Sequence, residues 1–248
     1  MIADILTVIW KERRSLFRHH GSRLRAIFSL LVPIAVFGIL LPWQEGSGWI
    51  EGFWSIITCV FIPLLLVGTI IPESFAGERE RHTLETLLSS RLPDQAILFG
   101  KIIVAIIYGW GMTLIVLLLG LIIANATGWE GQIILFPPII ALADVVVSLL
   151  LAAIMASLGV FISLKSATVQ GATQMLMATT LFPILILGIS FTFIFSMKGD
   201  LSQRIKNALE SLDQTQAVLI TIAVLFVICS CLFWAAAVRF NRQKLIGS

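Results

Sequence analysis

Hydrophobic positions in this chain gather into six long stretches that contain almost no charged residue. A stretch of about 20 apolar residues is enough to cross about 30 Å of hydrocarbon, and longer ones leave room for tilt or a kink. The pattern predicts an all-α integral membrane protein with six transmembrane helices in a single membrane domain, residues 1–248. The predicted spans are 26–44, 52–72, 98–126, 137–164, 168–196 and 215–238.

Two segments outside these spans are amphipathic. Residues 2–20 alternate apolar positions such as Ile5 and Ile9 with Lys11 and Arg14 at mostly helical spacing. This arrangement predicts an N-terminal interfacial helix, the alternative being a polar leader ordered only by lipid. Residues 200–213 begin with Asp200 as a candidate N-cap and carry leucines on one side, which predicts a short external helix before the sixth span. Its alternative is a solvated loop helix.

Composition and charge agree with a membrane protein. Hydrophobic residues make up 58% of the chain and charged residues 12%, against about 25% charged residues in soluble domains. Fourteen of the 17 Lys and Arg residues fall in the N-terminal segment, the 73–101 and 164–168 connections and the C-terminus. The positive-inside rule therefore predicts that both termini are cytoplasmic. The net charge of +3 reflects topology and gives no reason to expect nucleic acid.

Aromatic, cysteine and histidine positions add little chemistry. The tryptophans at 43, 49 and 129 fall at the predicted outer interface, where amphipathic rings prefer to sit. All three cysteines lie inside predicted spans and are expected to act as small apolar residues. The three histidines have no metal-ligand spacing, so no metal site is predicted.

A third amphipathic segment covers residues 78–92, between the second and third spans. Leu84, Leu87, Leu88 and Leu92 form an apolar stripe within a charged collar, and Pro93 follows. A short cytoplasmic helix of this kind suits docking into a groove on a soluble partner. Its charges have both signs, which argues against a helix that merely floats among lipid headgroups.

The stretch "ERERHTLETLLSSRLPDQAILFGK" resembles the segment after the second span of type-2 ABC transporter permeases, written E-R-E-x-G-T-L-E-x-L-L with a closing I-L-x-G-K. His82 stands where glycine is common in that pattern. The N-terminal helix, the six spans and the external segment before the sixth are also similar, so the resemblance covers essentially the whole chain. The matching residues are Glu78, Arg79, Glu80, Thr83, Leu84, Glu85, Leu87, Leu88, Gly100 and Lys101.

The resemblance implies that residues 78–92 are a coupling helix that docks on a separate ATP-binding subunit. Two permease subunits, identical or related, and two such ATPases would make the working exporter, with ATP and Mg in the partner. The implied docking residues are Glu78, Arg79, Glu80, Arg81, Thr83, Leu84, Glu85, Leu87 and Leu88. This sequence offers no P-loop, because Gln95 and Ile102 stand where G-x-x-x-x-G-K-[ST] needs glycine and a hydroxyl. We therefore expect neither enzymatic activity nor a cofactor in this chain.

Asp144 is an intramembrane acid, and at the bilayer centre it would cost about 2.5–3.5 kcal/mol on insertion scales. It must face protein or water, and two interpretations stay open: a transport site, or a buried acid in close helix packing. The fifth span carries a polar ribbon that either lines a pathway or binds helices together. The resemblance favours a pathway and adds three residues of the second span. The pathway candidates are Phe61, Leu65, Thr69, Gln170, Thr173, Gln174, Met177 and Thr180.

Three functions are compatible with the sequence. The first is the permease subunit of an ABC exporter, in a prokaryotic inner or plasma membrane. The second is an ion-coupled secondary transporter that uses Asp144. The third is a membrane-embedded enzyme. Co-purification with an ATPase supports the first, transport driven by an ion gradient without ATP the second, and chemical turnover by the chain alone the third.

Overall fold

The computed structural model describes residues 2–16, 31–52, 54–83, 93–129, 131–196 and 213–239. These residues are helical, apart from short connections, so the all-α membrane fold is confirmed. Helices α4 to α8 are long and apolar enough to cross a membrane. The helices are α1 (Ile2–Leu16), α2 (Leu31–Glu45), α3 (Ser47–Glu51), α4 (Trp54–Glu80), α5 (Asp94–Thr127), α6 (Pro138–Ser163), α7 (Val169–Ser196) and α8 (Gln214–Arg239).

Helices α4 to α8 correspond to the second to sixth predicted spans, with some ends displaced. Helix α4 continues past residue 72 to Glu80, because its internal prolines Pro63 and Pro72 do not end it. Helix α5 begins at Asp94, directly after Pro93, and an acidic residue in the first turn favours a helix start there. Helix α6 starts at Pro138, where the missing proline N–H has no cost.

The first predicted span is seen as α2, a shorter apolar helix, since residues 26–30 lie outside the described part of the chain. Val36–Leu40 form a π-helical turn within it. Gly46 has a φ of 55°, a left-handed conformation that favours glycine, and it separates α2 from α3. The predicted external helix at 200–213 also lies outside the described residues, except Asp213.

Trp49 corrects the expectation that the ring lies at the outer interface. It is 0% exposed in α3 and packs on Phe136, with ring centroids 5.6 Å apart. Gly120 of α5 makes room for it, because a Cβ there would lie 2.3 Å from the Trp49 ring. Trp43 and Trp129 remain exposed, as an interfacial position requires. Trp49 is therefore a core residue, because Gly120 of the neighbouring helix leaves space for its ring.

The core lies between α4, α5, α6 and the first turns of α7. Two glycines allow these helices to approach closely: a Cβ at Gly109 would lie 2.4 Å from Val67, and one at Gly159 would lie 2.7 Å from Ile71. Small residues at such crossings let the helix backbones approach closely. The van der Waals packing that results stabilises the bundle inside a bilayer, where the hydrophobic effect between helices is absent. The packing holds α4 in the centre, with both of its ends in contact with neighbours.

The two ends of this bundle are built differently. At one end, called the α1 end below, α1 packs on the start of α5 with Val8 buried, while Leu6 and Trp10 stay exposed as in an interfacial helix. At the opposite end, Asn125 holds the α5–α6 connection in place. Its amide donates to the Ile134 carbonyl at 2.9 Å and accepts from the Ile134 N–H at 2.7 Å.

Candidate functional site

A group of charges around the buried Lys101 joins three helices at the α1 end. Lys101 of α5 is only 1% exposed, and its Nζ lies 2.8 Å from Glu78 Oε2 and 3.6 Å from Glu12 Oε1. The contact with Glu78 is an ion pair whose angle falls outside hydrogen-bond geometry. Lys11 Nζ lies 3.1 Å from the other Glu78 oxygen. We call Lys11, Glu12, Glu78 and Lys101 the Lys101 cluster.

The Lys101 ammonium also has neutral partners on α4. It donates to the Ser74 carbonyl and lies 4.9 Å from the centre of the Phe75 ring. Two carboxylates, a carbonyl and an aromatic face thus surround one buried cation, and a buried charge needs such compensation. The arrangement fixes the end of α4 to the start of α5.

Gly100 brings α1 into this arrangement. A Cβ at Gly100 would lie 2.6 Å from Val8 Cγ1, so the missing side chain lets α1 contact the backbone of α5. The contact places Glu12, one turn beyond Val8, within reach of Lys101. The Gly-Lys pair that ends the sequence motif therefore has a physical role. Gly100 leaves space for α1 to pack against α5, and Lys101 forms an ion pair with Glu12 of α1.

The last residues of α4 contact two further helices. Arg79 donates to the Leu164 carbonyl, just past the end of α6, at 2.9 Å. Glu80 accepts from the Val169 N–H at the start of α7 at 3.0 Å. Together with Glu78, three consecutive side chains bind the α4 end to α1, α5, α6 and α7. A displacement of the end of α4 would therefore change its contacts with four neighbouring helices.

Helix α4 ends in a Schellman motif centred on His82. The Thr83 N–H donates to the Glu78 carbonyl at 2.9 Å, and the His82 N–H donates to the Arg79 carbonyl at 3.0 Å. His82 has a φ of 56°, a left-handed conformation in which glycine is favoured. The departure from the motif noted in the sequence thus lies at the position where the backbone needs glycine.

The predicted docking residues now divide into two groups. Glu78, Arg79 and Glu80 belong to the end of α4 and contact other parts of the same chain, while Arg81 lies 3.8 Å from Glu73. The Thr83 hydroxyl donates to the Glu78 carbonyl at 3.2 Å. The rest of the predicted coupling helix, including Leu84, Glu85, Leu87 and Leu88, lies outside the described residues.

Asp144 lies in α6 toward the other end of α4. It is 2% exposed, and neither carboxylate oxygen makes a hydrogen bond with the described residues. Ser55 and Cys59 of α4 lie beside its carboxyl group without forming a hydrogen bond to it. We call these three residues the Asp144 cluster. It contains one acid and two neutral side chains.

The pathway candidates of the fifth span are partly in contact with the second. Met177 packs on Gly68, where a Cβ would lie 2.7 Å from its terminal methyl group. The hydroxyls of Thr173 and Thr180 donate to carbonyls of their own helix at 3.0 and 2.8 Å. Gln170 and Gln174 remain exposed on the surface of the chain. The ribbon therefore divides into helix contacts and two outward-facing amides.

The candidates of the second span divide in the same way. Phe61 stacks on Phe37 of α2 with ring centroids 5.8 Å apart. Leu65 is half-buried against the core. Thr69 is exposed, next to the glycine that Met177 contacts, and its hydroxyl donates to the Leu66 carbonyl at 2.9 Å.

Lys101 and Glu12 are site residues that the sequence reasoning did not single out. In the sequence, Lys101 is only the end of a motif and a cation beside a span, whereas in the structure it is buried. The signal that could have found it was a lysine directly after a motif glycine, with two carboxylates predicted on the same membrane side. Nothing in local spacing identifies Glu12 as its partner.

Comparison with known families adds a single strong result. The ABC-2 type transporter family matches residues 3–199, most of the chain. A search of curated proteins gives no match. The chain belongs to the ABC-2 type transporter family. It is thus an integral membrane protein and a permease component of an ABC transporter, the part distinct from the ATPase.

Proposed function

We propose that this chain is the transmembrane permease subunit of an ATP-binding cassette exporter. It moves a substrate outward while a separate subunit binds Mg and hydrolyses ATP. Membership of the ABC-2 type transporter family supports the assignment as a permease. The contacts of Glu78, Arg79 and Glu80 with neighbouring helices support the proposed coupling to the ATPase. These side chains lie at the base of the leucine-bearing segment that would dock on the ATPase. Movement of that segment would pass directly into the membrane helices.

The working assembly contains two permease subunits, identical or related, and two ATP-binding subunits. The exposed amides of Gln170 and Gln174 support a surface that does not face lipid, since amides are unfavourable against hydrocarbon. We place both termini in the cytoplasm of a prokaryotic cell, with the chain in the inner or plasma membrane. The cation distribution supports this orientation.

Docking is tested by isolating the chain from native membranes and measuring the amount of bound ATPase and its ATP turnover. Leu87→Asp places a charge on the apolar stripe and should release the ATPase, because a desolvated charge replaces an apolar contact. Thr86→Asp is the matched control, because it adds the same charge beside the stripe. Equal ATPase recovery with both variants would reject docking through these leucines.

Orientation is tested separately with single cysteines in a background that lacks the native three. Gln132 and Ala167 are exposed positions at opposite ends of the bundle. Gln132→Cys should react with an impermeant thiol reagent added to intact cells, whereas Ala167→Cys should react only after permeabilisation. The reverse labelling pattern would place the termini outside.

A second candidate function rests on the Asp144 cluster. A buried acid beside two neutral groups is a feature of ion-coupled carriers as well as of closely packed helices. In an ion-coupled transporter, substrate flux would follow an imposed ion gradient in vesicles without ATP, and Asp144→Asn would abolish it. Flux that requires ATP and persists in Asp144→Asn excludes this candidate.

A further inference from the structure

A groove of about 330 Å³ runs along the contact between α1 and α5, beside the exposed side chains of Ile107 and Ile115. Ile9 and Arg13 of α1 form one wall, and α5 forms the other from Val104 to Ile115. Its volume falls within the range of about 300–1,000 Å³ that is typical of small-molecule sites. The α5 wall is apolar apart from the Tyr108 hydroxyl, so the groove suits a hydrocarbon chain.

The length of the groove matches one leaflet of a bilayer. The 11 helical steps from Val104 to Ile115 span about 16 Å at about 1.5 Å per residue. Half of a hydrocarbon core of about 30 Å is about 15 Å. Gly111 deepens the groove in its middle, since a Cβ at that position would meet nothing within 4 Å.

Arg13 gives the groove a charged entrance. Its neighbours Lys11 and Glu12 belong to the Lys101 cluster, and Arg14 lies over the Trp10 ring at 4.7 Å. Arg13 takes no part in those contacts and is exposed at the end where α1 lies. A guanidinium at headgroup depth, above an apolar slot of leaflet length, matches an anionic headgroup that carries an acyl chain.

We propose that this groove binds one anionic phospholipid from the leaflet in which α1 lies. The acyl chain occupies the slot along α5, and the phosphate group pairs with Arg13. In the orientation proposed above this is the cytoplasmic leaflet, where anionic lipids concentrate. The bound lipid fills the space beside Ile9 and steadies α1, the helix that contributes Glu12 to the Lys101 cluster. This binding does not depend on transport or on ATP.

The test measures lipid retained by the full-length chain, purified in detergent, by native mass spectrometry. Phosphatidylglycerol and phosphatidylcholine with identical acyl chains are offered in competition. Gly111→Leu fills the slot and should lose both lipids, whereas Gly188→Leu, the same change at another glycine with open space around it, should retain them. Ile107→Trp narrows the slot from an already exposed position and serves as a second blocking variant.

Headgroup recognition is tested at α1 in the same experiment. Arg13→Gln should lower the preference for phosphatidylglycerol about fivefold, the effect of one basic residue near an anionic surface, while Arg14→Gln should leave it unchanged. Inorganic phosphate should not displace the lipid, because the acyl chain supplies much of the binding. Three outcomes would overturn the proposal: displacement by phosphate alone, equal retention in Gly111→Leu and Gly188→Leu, or equal preference in Arg13→Gln and Arg14→Gln.

Discussion

The two ends of α4 differ in whether the buried charge next to them has oppositely charged partners. At the α1 end, Lys101 lies among Glu78, Glu12 and a backbone carbonyl, so the charges compensate each other. Toward the other end, Asp144 lies beside Ser55 and Cys59, and neither carboxylate oxygen forms a hydrogen bond or an ion pair with the described residues. Breaking a balanced cluster leaves uncompensated charges, whereas removing a lone charge leaves none. We therefore expect that removing the charge of Lys101 destabilises the fold, whereas removing the charge of Asp144 is tolerated.

The largest effect is expected at the Lys101 cluster. Lys101→Met should lower the free energy of unfolding by about 3–5 kcal/mol, because the buried Glu12 and the partly buried Glu78 lose the cation that binds them. The measurement is thermal or denaturant unfolding of the purified chain. Lys165→Met, at an exposed position between α6 and α7, is the matched control and should change stability little. Equal stability of the two variants would contradict the compensated cluster.

A smaller effect is expected where α1 meets α5. Gly100→Ala places a methyl group against Val8 and should cost about 1–3 kcal/mol through overpacking. Gly188→Ala makes the same change in α7, where the methyl group meets open space away from α1. Limited proteolysis of α1 together with melting temperature distinguishes them. If Gly188→Ala loosened α1 as much as Gly100→Ala, the close contact at Gly100 would be wrong.

The end of α4 offers a stabilising change. His82→Gly should raise stability by about 1 kcal/mol or less, because glycine removes the roughly 1–2 kcal/mol cost of a left-handed residue but has greater freedom in the unfolded chain. His82→Ala removes the imidazole and keeps the Cβ, so it should give no gain. Melting curves of both variants measure the difference. A gain with alanine equal to that with glycine would show that the backbone conformation is not its cause.

The smallest effect is expected at the Asp144 cluster. Asp144→Asn keeps the shape of the side chain and removes its charge, so it should change stability by no more than about 1 kcal/mol, a typical point-substitution effect. The same unfolding measurement applies. A loss as large as that of Lys101→Met would mean that Asp144 belongs to a charge-compensated structure, and the contrast between the two ends would disappear.

Much of the fold follows from the sequence because a bilayer demands long apolar helices. The apolar runs predicted the spans that correspond to α4 to α8, and the amphipathic pattern predicted α1. Trp49 escaped prediction, since the same ring suits an interface or a core and Gly120 decides between them. The polar ribbon of the fifth span was ambiguous for a similar reason: hydroxyls bond to their own helix in either role.

The candidate site was only partly predictable. The motif predicts a role for Glu78 and its neighbours, and its departure at His82 coincides with the position that adopts a left-handed conformation in the structure. The partnership of Lys101 with Glu12 depends on how α1 crosses α5, a long-range packing event that leaves no local pattern. Tertiary contacts of this kind are the part that periodicity and spacing do not encode.

The most direct test of the central claim is a double-mutant cycle between Lys101 and Glu78. Unfolding free energies are measured for the native chain, Lys101→Met, Glu78→Gln and the double variant. An ion pair with a buried lysine and a partly buried glutamate predicts that the double variant recovers much of the loss, with a coupling energy clearly above the roughly 0–1 kcal/mol of surface ion pairs. Additive losses, with no coupling between the two positions, would contradict the claim that this pair joins the ends of α4 and α5.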